Sequence, residues 1–295
     1  MFFATQTVPL FAFLKSKSPK AKNLFCGVMK GSLKFATIAF FFSKHANMNA
    51  TIYSHFSHLP DYLAHFAHFS ANTLPEHGVY LLYDESGLSL AKVGEKGRVQ
   101  VDFASGAAQY RRTKGGGELI AKAVNHTTRP TVWDATGGLG RDSFVLASLG
   151  LHVQMFEQNP AVFALLQDGW QRAQMLPETA EIVSRMVLVH ADFAQIAPQM
   201  LAQHARPDVV YLDPMYPERQ KSAAVKKEMA YFHELVGLPE PQADDNLFQA
   251  ARQIAKKRVV VKRPRLGEFL CGVKPAYQYE GKSTRFDVYL PFQAA

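Results

Sequence analysis

The sequence predicts an α/β protein built on a mostly parallel, doubly wound sheet, with a C-terminal antiparallel strand pair and a small β-rich N-terminal lobe. Three observations support this fold class. Short, continuously apolar runs alternate with helical patterns from Glu118 onward, as expected for strands that are buried on both faces. The strand–helix rhythm repeats five times, which favours parallel strands joined by helical crossovers. Two alternating segments around Gly281 close the chain as a strand pair.

The elements of the main domain follow from these patterns. Parallel strands are predicted at residues 131–134, 152–156, 187–189, 209–212 and 258–262. Helices are predicted at residues 118–125, from the glycine turn after 134 through 149, and at 160–173, 195–203 and 244–255. The final strand pair is predicted at residues 276–279 and 285–290.

The lobe that precedes this domain is predicted to be mostly β. Residues 78–93 read as a hairpin with a turn at Asp84–Gly87, and residues 98–103 alternate like a further strand. Residues 55–69 contain histidines spaced by three, which raises a metal site as an alternative. No Cys or carboxylate cluster accompanies them, so we favour an amphipathic helix broken at Pro60. The predicted boundaries are a lobe at 48–110 and the main α/β domain at 111–295.

Net charge separates the first sixth of the chain from the rest. The 295 residues carry a net charge of +8, but residues 1–47 hold seven lysines and no acidic residue. A secretory signal, a basic nucleic-acid-binding arm and an over-extended start would each produce such a leader. The lysines are spread too widely for a signal. We favour the third interpretation, in which the protein begins at Met48.

Composition limits the remaining classes of protein. A hydrophobic content of 47% supports a packed core and excludes disorder for most of the chain. The two cysteines, Cys26 and Cys271, cannot form a disulfide framework or a cysteine zinc site. No apolar run approaches the length of a membrane span. We therefore expect a cytoplasmic protein with neither a membrane nor a metal partner.

Two acid-containing motifs follow the first two parallel strands. Asp134 precedes a glycine turn that includes Gly138, and Glu157 ends the next strand 19 residues after Gly138. In open α/β sheets, ligands bind at the carboxyl ends of the strands, and an acid after the second strand can accept ribose hydroxyls. The glycine run is compatible with NAD, but it lacks the third glycine of that fingerprint. An acid before the glycines favours a cationic ligand such as S-adenosylmethionine.

Two further motifs follow the third and fourth strands. Asp192 and Phe193 are candidates for binding an adenine amino group and ring, although a helix-capping Asp has the same pattern. Asp213, Pro214 and Tyr216 resemble the Asp/Asn-Pro-Pro-Tyr/Phe loop of methyltransferases that modify exocyclic amines of nucleobases. The side chain of Asp213 and the carbonyl of Pro214 would orient the amine, and Tyr216 would stack on the extruded base.

Basic residues cluster near these motifs and predict a phosphate-binding rim. The clusters comprise Arg111, Arg112, Lys114, Arg219, Lys221, Lys226, Lys227, Lys256, Lys257, Arg258, Lys262, Arg263 and Arg265. The eight that we expect to contact the phosphates of a nucleic acid are Arg111, Arg112, Lys114, Lys221, Lys226, Lys256, Lys257 and Arg263.

Together, these stretches resemble the small-subunit ribosomal RNA methyltransferase J family, which methylates guanine N2 in the 3′-terminal hairpin loop of 16S rRNA. The matching segments are residues 110–117, 134–148, 211–229, 258–264 and 285–289. The resemblance spans roughly Phe103 to the C-terminus. It implies a Rossmann-like class I methyltransferase that uses S-adenosyl-L-methionine and acts on 16S rRNA or the small ribosomal subunit.

The resemblance also implies the cofactor contacts. These are expected at positions matching Arg141, Asp142, Glu157, Gln158, Asp192, Phe193 and Asp213, in addition to Asp134 and Gly138. The alternatives are a DNA adenine or cytosine amino-methyltransferase, which shares the Asp-Pro-x-Tyr loop, and a non-catalytic RNA-binding protein with a vestigial Rossmann fold.

Overall fold

A computed structural model describes residues 51–113, 117–214, 223–237 and 241–292. The strands of this part of the chain form one sheet of five strands and one of seven. The leader at residues 1–47 lies outside the described residues, as do Lys114, Tyr216 and Lys221.

The N-terminal sheet has the strand order β2-β1-β3-β4-β5. Its strands are Thr51–Ser54 (β1), Ala67–Ser70 (β2), Val79–Asp84 (β3), Gly87–Lys92 (β4) and Arg98–Gln100 (β5). Strand β1 pairs in parallel with β2 and β3, whereas β3, β4 and β5 pair antiparallel. The predicted hairpin is therefore confirmed, and the predicted third strand is shorter than expected.

The helix predicted at residues 55–69 is wrong. The chain leaves β1 at Ser54, bends through exposed residues, makes a turn before Ala67 and enters β2. Pro60 lacks the amide proton that a helix requires, and it disfavours helical geometry at Leu59. Leu63 and Phe66 belong to this turn, and their side chains are buried in the core. Within the described residues, no group of three or more His, Cys, Asp or Glu side chains could hold a metal ion.

The second sheet has the order β11-β12-β10-β9-β6-β7-β8. Its strands are Val132–Asp134 (β6), Val153–Glu157 (β7), Met186–His190 (β8), Val209–Leu212 (β9), Arg258–Pro264 (β10), Tyr277–Glu280 (β11) and Thr284–Tyr289 (β12). Strands β6 to β10 are parallel, and β12 and β11 pair antiparallel at one edge. The doubly wound sheet and the antiparallel pair are therefore confirmed.

Helices flank and connect the two sheets in the described ranges. They are Gly106–Thr113 (α1), Gly117–Val124 (α2), Arg141–Ser148 (α3), Pro160–Gln174 (α4), Pro177–Val183 (α5), Phe193–Gln203 (α6), Ala223–Val236 (α7) and Pro241–Ile254 (α8). Helices α1, α5 and α7 were not expected from sequence. Helix α1 is polar and α5 is short, so neither carries a strong helical period of apolar residues. No helix in the described ranges is long and apolar enough to cross a membrane.

Strand order determines where a ligand can bind. From the central strand β6 the chain winds outward to β7 and β8, and then returns to place β9 and β10 on the other side of β6. The loops that follow β6 and β9 therefore diverge at the carboxyl edge of the sheet and leave a crevice between them.

A buried carboxylate joins the N-terminal sheet to helix α4. Asp168 is fully buried and accepts hydrogen bonds from Tyr62 Oη (2.9 Å), Leu88 N (3.0 Å) and Arg172 Nε (2.9 Å). The adjacent Gly169 allows close contact, because a Cβ there would lie 2.3 Å from Val101 Cγ1. The lobe therefore packs directly against the helix that follows β7.

Replacing this carboxylate should destabilise the protein. In Asp168→Ala the Leu88 amide and the Tyr62 hydroxyl lose a buried acceptor, and we expect the free energy of unfolding to fall by about 3 kcal/mol. Urea unfolding measures this change. The control is Glu181→Ala, which removes a highly exposed partner of Arg185 and should leave stability unchanged. Equal stabilities of the two variants would contradict the role given to Asp168.

Candidate active site

A cleft of about 1470 Å³ lies at the carboxyl edge of the seven-stranded sheet. The loops after β6, β7, β8, β9 and β10 line it, together with parts of α1, α2, α7 and α8 and the turn between β11 and β12. All four acid-containing motifs identified in the sequence reach this cleft through Asp134, Glu157, Asp192 and Asp213. Their predicted convergence at one sheet edge is therefore present in the fold.

Asp134 ends β6 and is almost completely buried, with 2% of its surface exposed. Its Oδ1 accepts from Thr136 N at 3.1 Å, and its Oδ2 accepts from the Ser143 hydroxyl. Burial raises the pKa of Asp134 to about 7, and the hydrogen bonds from Ser143 and Thr136 offset only part of that effect. A cation bound nearby would favour the ionised form of this carboxyl group.

Glycines shape the turn between β6 and α3. Gly138 has φ +51°, and its amide donates to Glu157 Oε2 at 2.9 Å. Gly140 has φ +69°, and a Cβ there would lie 2.7 Å from Leu166 Cδ1. Side chains at these two positions would be strained, and at Gly140 one would also collide with α4. The turn therefore brings backbone amides to the cleft.

Glu157 ends β7, directly beside the glycine turn. In addition to the Gly138 contact, its Oε1 accepts from Asn159 N at 2.7 Å. Burial raises the pKa of Glu157, and the backbone amides of Asn159 and Gly138 act in the opposite direction. Each carboxylate oxygen has two lone pairs, so both oxygens can accept a further hydrogen bond. Gln158 is exposed and lines the cleft next to it.

Asp192 and Phe193 fit their predicted roles poorly. Asp192 caps helix α6, where its Oδ1 accepts from Ala194 N at 2.9 Å and its Oδ2 from Gln195 Nε2 at 2.8 Å. The ring of Phe193 is 2% exposed and packs edge-on against Phe156 and Trp133. Phe193 borders the cleft, but at this degree of burial its ring offers little accessible surface on which an adenine could stack.

A lysine links the motif after β9 to the start of α3. Lys262 Nζ donates to Asp213 Oδ2 at 2.8 Å and to Asp142 Oδ2 at 2.7 Å. Burial lowers the pKa of Lys262, but the two carboxylates outweigh that effect and raise it overall, so the ammonium stays charged. The amide of Asp213 also donates to Thr136 Oγ1 at 2.7 Å. The side chain of Asp213 is thus fixed beside a cation.

Tyr211 extends the same network into the sheet. Its ring is fully buried in β9, and its hydroxyl donates to Asp142 Oδ2 at 2.7 Å. Burial, together with the charge of Asp142, raises the pKa of Tyr211 well above its usual value, so this hydroxyl remains a donor. The predicted cofactor residue Asp142 therefore holds Tyr211 and Lys262 in the structure. Pro214 follows Asp213, is buried and lines the cleft.

The sequence interpretation placed Lys262 on the phosphate-binding rim rather than in the cleft. The available signal was its position after Val259, Val260 and Val261, because a charge at the carboxyl end of a buried strand lies at the ligand edge. Its reach to both Asp142 and Asp213 depends on β10 lying next to β9. The pairing of these two strands is a property of the folded sheet, and the order of residues does not specify it.

The structure does not place three of the predicted rim residues on an exposed surface at the cleft. Lys256 and Lys257 precede β10 and therefore lie at the amino edge of the sheet, roughly 20 Å along the strand from its carboxyl end. Lys257 forms an ion pair there with Asp208 at 3.1 Å. Arg263 is 6% exposed and donates to Glu268 O at 3.0 Å, which does not fit a contact with RNA.

The remaining rim residues are only partly described. Arg111 and Arg112 belong to α1 and Lys226 belongs to α7, but their side chains lie outside the described part of the structure. Exposed cations that do line the cleft are Arg141, at the start of α3, and Lys282, in the turn between β11 and β12. Arg141 was expected to contact the cofactor, whereas Lys282 was not identified from sequence.

Comparisons with known proteins agree with this architecture. A family model described as "Putative SAM-dependent methyltransferase" matches residues 65–291. A ribosomal RNA small subunit methyltransferase J from Neisseria gonorrhoeae is 67% identical over 220 residues, which cover 75% of this chain and 87% of that protein. The protein of the same name from Cellvibrio japonicus is 50% identical, with 71% and 82% covered.

Solved structures give the same result. The crystal structure of a SAM-dependent methyltransferase from Neisseria gonorrhoeae matches with a TM-score of 0.70 and 55% identity. The match covers 83% of this chain and 98% of that chain. The fold, the cleft and these relatives together show that the chain belongs to the family of S-adenosylmethionine-dependent methyltransferases that includes the ribosomal RNA small subunit methyltransferase J proteins.

Proposed function

We propose that this enzyme methylates the exocyclic N2 amine of a guanine in the 3′-terminal hairpin loop of 16S rRNA. The names of its relatives support small-subunit rRNA as the substrate. The choice of guanine N2 rests on one observation, the pairing of the Asp213 carboxylate with the Lys262 ammonium at 2.8 Å.

This pair matches the hydrogen-bonding edge of guanine. Guanine presents the N2 and N1 protons next to the O6 acceptor, so a carboxylate beside an ammonium complements all three groups. Adenine and cytosine place a ring acceptor next to their amine, and that acceptor would face the carboxylate. The pair therefore favours guanine over the targets of DNA adenine or cytosine amino-methyltransferases.

Asp213 and Pro214 would act by orientation. The lone pair of a nucleobase amine is delocalised into the ring, so the amine attacks only when it is held in line with the methyl group. When bound, S-adenosylmethionine would supply an electrophilic methyl group, and the N2–CH3 bond would form as the S–CH3 bond breaks. The amine becomes acidic only as that bond forms, and Asp213 can accept the released proton directly or through water. Stacking of Tyr216 on the base stays a prediction.

The cofactor residues follow from the chemistry of the donors and acceptors. Glu157 retains acceptor capacity for both ribose hydroxyls, and the turn at Gly138 allows close approach of a ligand to the backbone. Asp134 provides a buried carboxyl group that a sulfonium or ammonium charge would hold ionised. Arg141 and Gln158 are exposed beside these groups and are the proposed polar contacts at the mouth of the cleft.

The proposed activity can be tested with labelled S-adenosylmethionine and either 30S subunits or 16S rRNA from a strain that lacks this protein. We expect incorporation into the 3′-terminal hairpin. Replacing the loop guanines one at a time with inosine, which lacks the N2 amine, should abolish the signal at one position. Labelling that persists through every inosine substitution, or that appears only on DNA, would refute the proposal.

Asp213→Asn should lower kcat by roughly 100-fold or more, because the amide cannot accept from both N1 and N2 in the original geometry. Binding of S-adenosylmethionine should be retained, which calorimetry can check. The matched control is Asp61→Asn, at an exposed position in the N-terminal lobe, and we expect normal turnover. Near-normal turnover by Asp213→Asn would remove this residue from the mechanism.

Lys262→Met should abolish recognition of the O6 acceptor. We expect the wild-type enzyme to prefer guanine over 6-thioguanine by about tenfold, because sulfur accepts hydrogen bonds weakly. The variant should be slower on both substrates and should show no preference between them. Lys256→Met at the opposite sheet edge is the control and should keep wild-type rates and preference. A preference retained by Lys262→Met would contradict the assignment.

Cofactor affinity should depend on pH through Asp134. This group is mostly protonated below pH 7 and ionised above it, and a nearby cation favours ionisation. The dissociation constant of S-adenosylmethionine should therefore fall as the pH rises from 6 to 8. Asp134→Asn should flatten this dependence, as measured by calorimetry at several pH values. An unchanged slope in Asp134→Asn would exclude Asp134 as its source.

A further inference from the structure

A leucine projects from the tight turn that follows β10. Leu266 is 94% exposed, the highest value among the exposed large apolar residues of the described chain. The turn is closed by a hydrogen bond from Gly267 N to Pro264 O at 2.9 Å. Exposing a large apolar side chain to water is unfavourable and contributes nothing to folding. Single apolar residues are common on protein surfaces, so the support and the location of Leu266 carry the argument.

A buried arginine holds the turn in place. Arg285 Nη1 donates to the carbonyl oxygens of Pro264 (3.2 Å), Arg265 (2.7 Å) and Gly267 (2.7 Å). Arg285 is itself buried and paired with the fully buried Asp287. Arg265 N also donates to Ser283 O at 2.9 Å, which ties the turn to the neighbouring hairpin. The leucine is thus presented on a fixed support.

The turn lies at the carboxyl edge of the sheet, beside the proposed target-base site. Lys262 lies two residues before Pro264, and both residues line the cleft. Arg265, directly before the leucine, is exposed and makes only a loose pair with Glu280 at 3.9 Å. Lys282 is also exposed and precedes Ser283, whose carbonyl accepts from Arg265 N. An apolar tip between cations beside a nucleobase site suits RNA, which offers phosphates and base faces together.

We propose that Leu266 is a wedge that enters the base stack of the RNA as the target guanine is extruded toward Asp213 and Lys262. This inference rests on the proposed function. An enzyme that modifies a base must remove it from its stack, and an apolar side chain that fills the vacated space offsets the cost of unstacking. Arg265 and Lys282 would bind the phosphates that flank the extruded nucleotide.

The proposal predicts that loss of the leucine affects two RNA substrates differently. The first is a synthetic 3′-terminal hairpin of 16S rRNA, in which the target guanine identified by the inosine scan is stacked on its neighbours. The second is the same hairpin with abasic nucleotides on both sides of that guanine, so that no stack needs to be opened. Leu266→Ser removes the wedge. Leu290→Ser is the matched control, because Leu290 is also exposed and follows β12 at the opposite edge of the sheet.

We expect Leu266→Ser to lower kcat/KM at least tenfold on the stacked hairpin and less than twofold on the abasic one. Leu290→Ser should match wild type on both. A 2-aminopurine placed next to the target guanine should brighten when wild-type enzyme binds, because the extruded guanine no longer stacks on it, and it should brighten much less with Leu266→Ser. Circular dichroism and thermal melting verify that both variants are folded.

Three results would overturn the wedge. Leu266→Ser could match wild type on the stacked hairpin, or it could lose activity equally on both hairpins. It could also lose activity on 30S subunits but not on naked RNA, which would assign the leucine to contact with a ribosomal protein. If the wild-type enzyme methylates neither hairpin nor 30S subunits, the proposed function fails first and the wedge fails with it. The wild-type and variant measurements therefore distinguish the two failures.

Discussion

The candidate site depends on the ammonium of Lys262, which is held between the carboxylates of Asp142 and Asp213. Asp134 is buried a few residues from Asp142, and the charges of Asp142 and Asp213 add to the increase in its pKa. Without the lysine, ionised carboxylates would crowd a poorly solvated edge of the sheet, which is strongly unfavourable. The ammonium offsets the repulsion between these carboxylates and so stabilises their close arrangement. Its position also fixes where a base donor and a base acceptor can be recognised.

The N-terminal lobe contributes to this arrangement from outside the cleft. It is fixed to α4 through Asp168, and it contacts α7 through Tyr231, whose hydroxyl donates to Glu95 at 2.9 Å, and through Lys92, which pairs with Glu234 at 2.8 Å. Residues Phe232 and Val236 of the same helix line the cleft. The strands of the lobe thus support one wall of the cleft through α7, and none of their described residues lines the cleft itself.

Much of the fold could be predicted from sequence because its strands are apolar throughout, a pattern that parallel strands produce locally. The convergence of Asp134, Glu157 and Asp213 was also predictable, since each follows a strand in the same sheet. The location of Lys256 and Lys257 away from the cleft was also predictable, because residues that precede a parallel strand lie at the edge opposite the ligand. The role of Lys262 and the burial of Phe193 depend on side-chain packing between neighbouring elements, which residue order does not specify.

The ion pair of Asp208 with Lys257 has a consequence for strand alignment. Asp208 Oδ2 also accepts from Thr131 N at 3.0 Å, so one carboxylate joins the residues that precede β6, β9 and β10. Desolvation would raise the pKa of Asp208, but these partners outweigh it and lower the pKa. Strand β9 is therefore anchored five residues before Asp213. A one-residue slip of β9 would rotate Tyr211 to the opposite face of the sheet and withdraw its hydroxyl from Asp142. Contacts at the amino edge of the sheet thus fix the register of β9, and that register sets the positions of Tyr211 and Asp213 at the carboxyl edge.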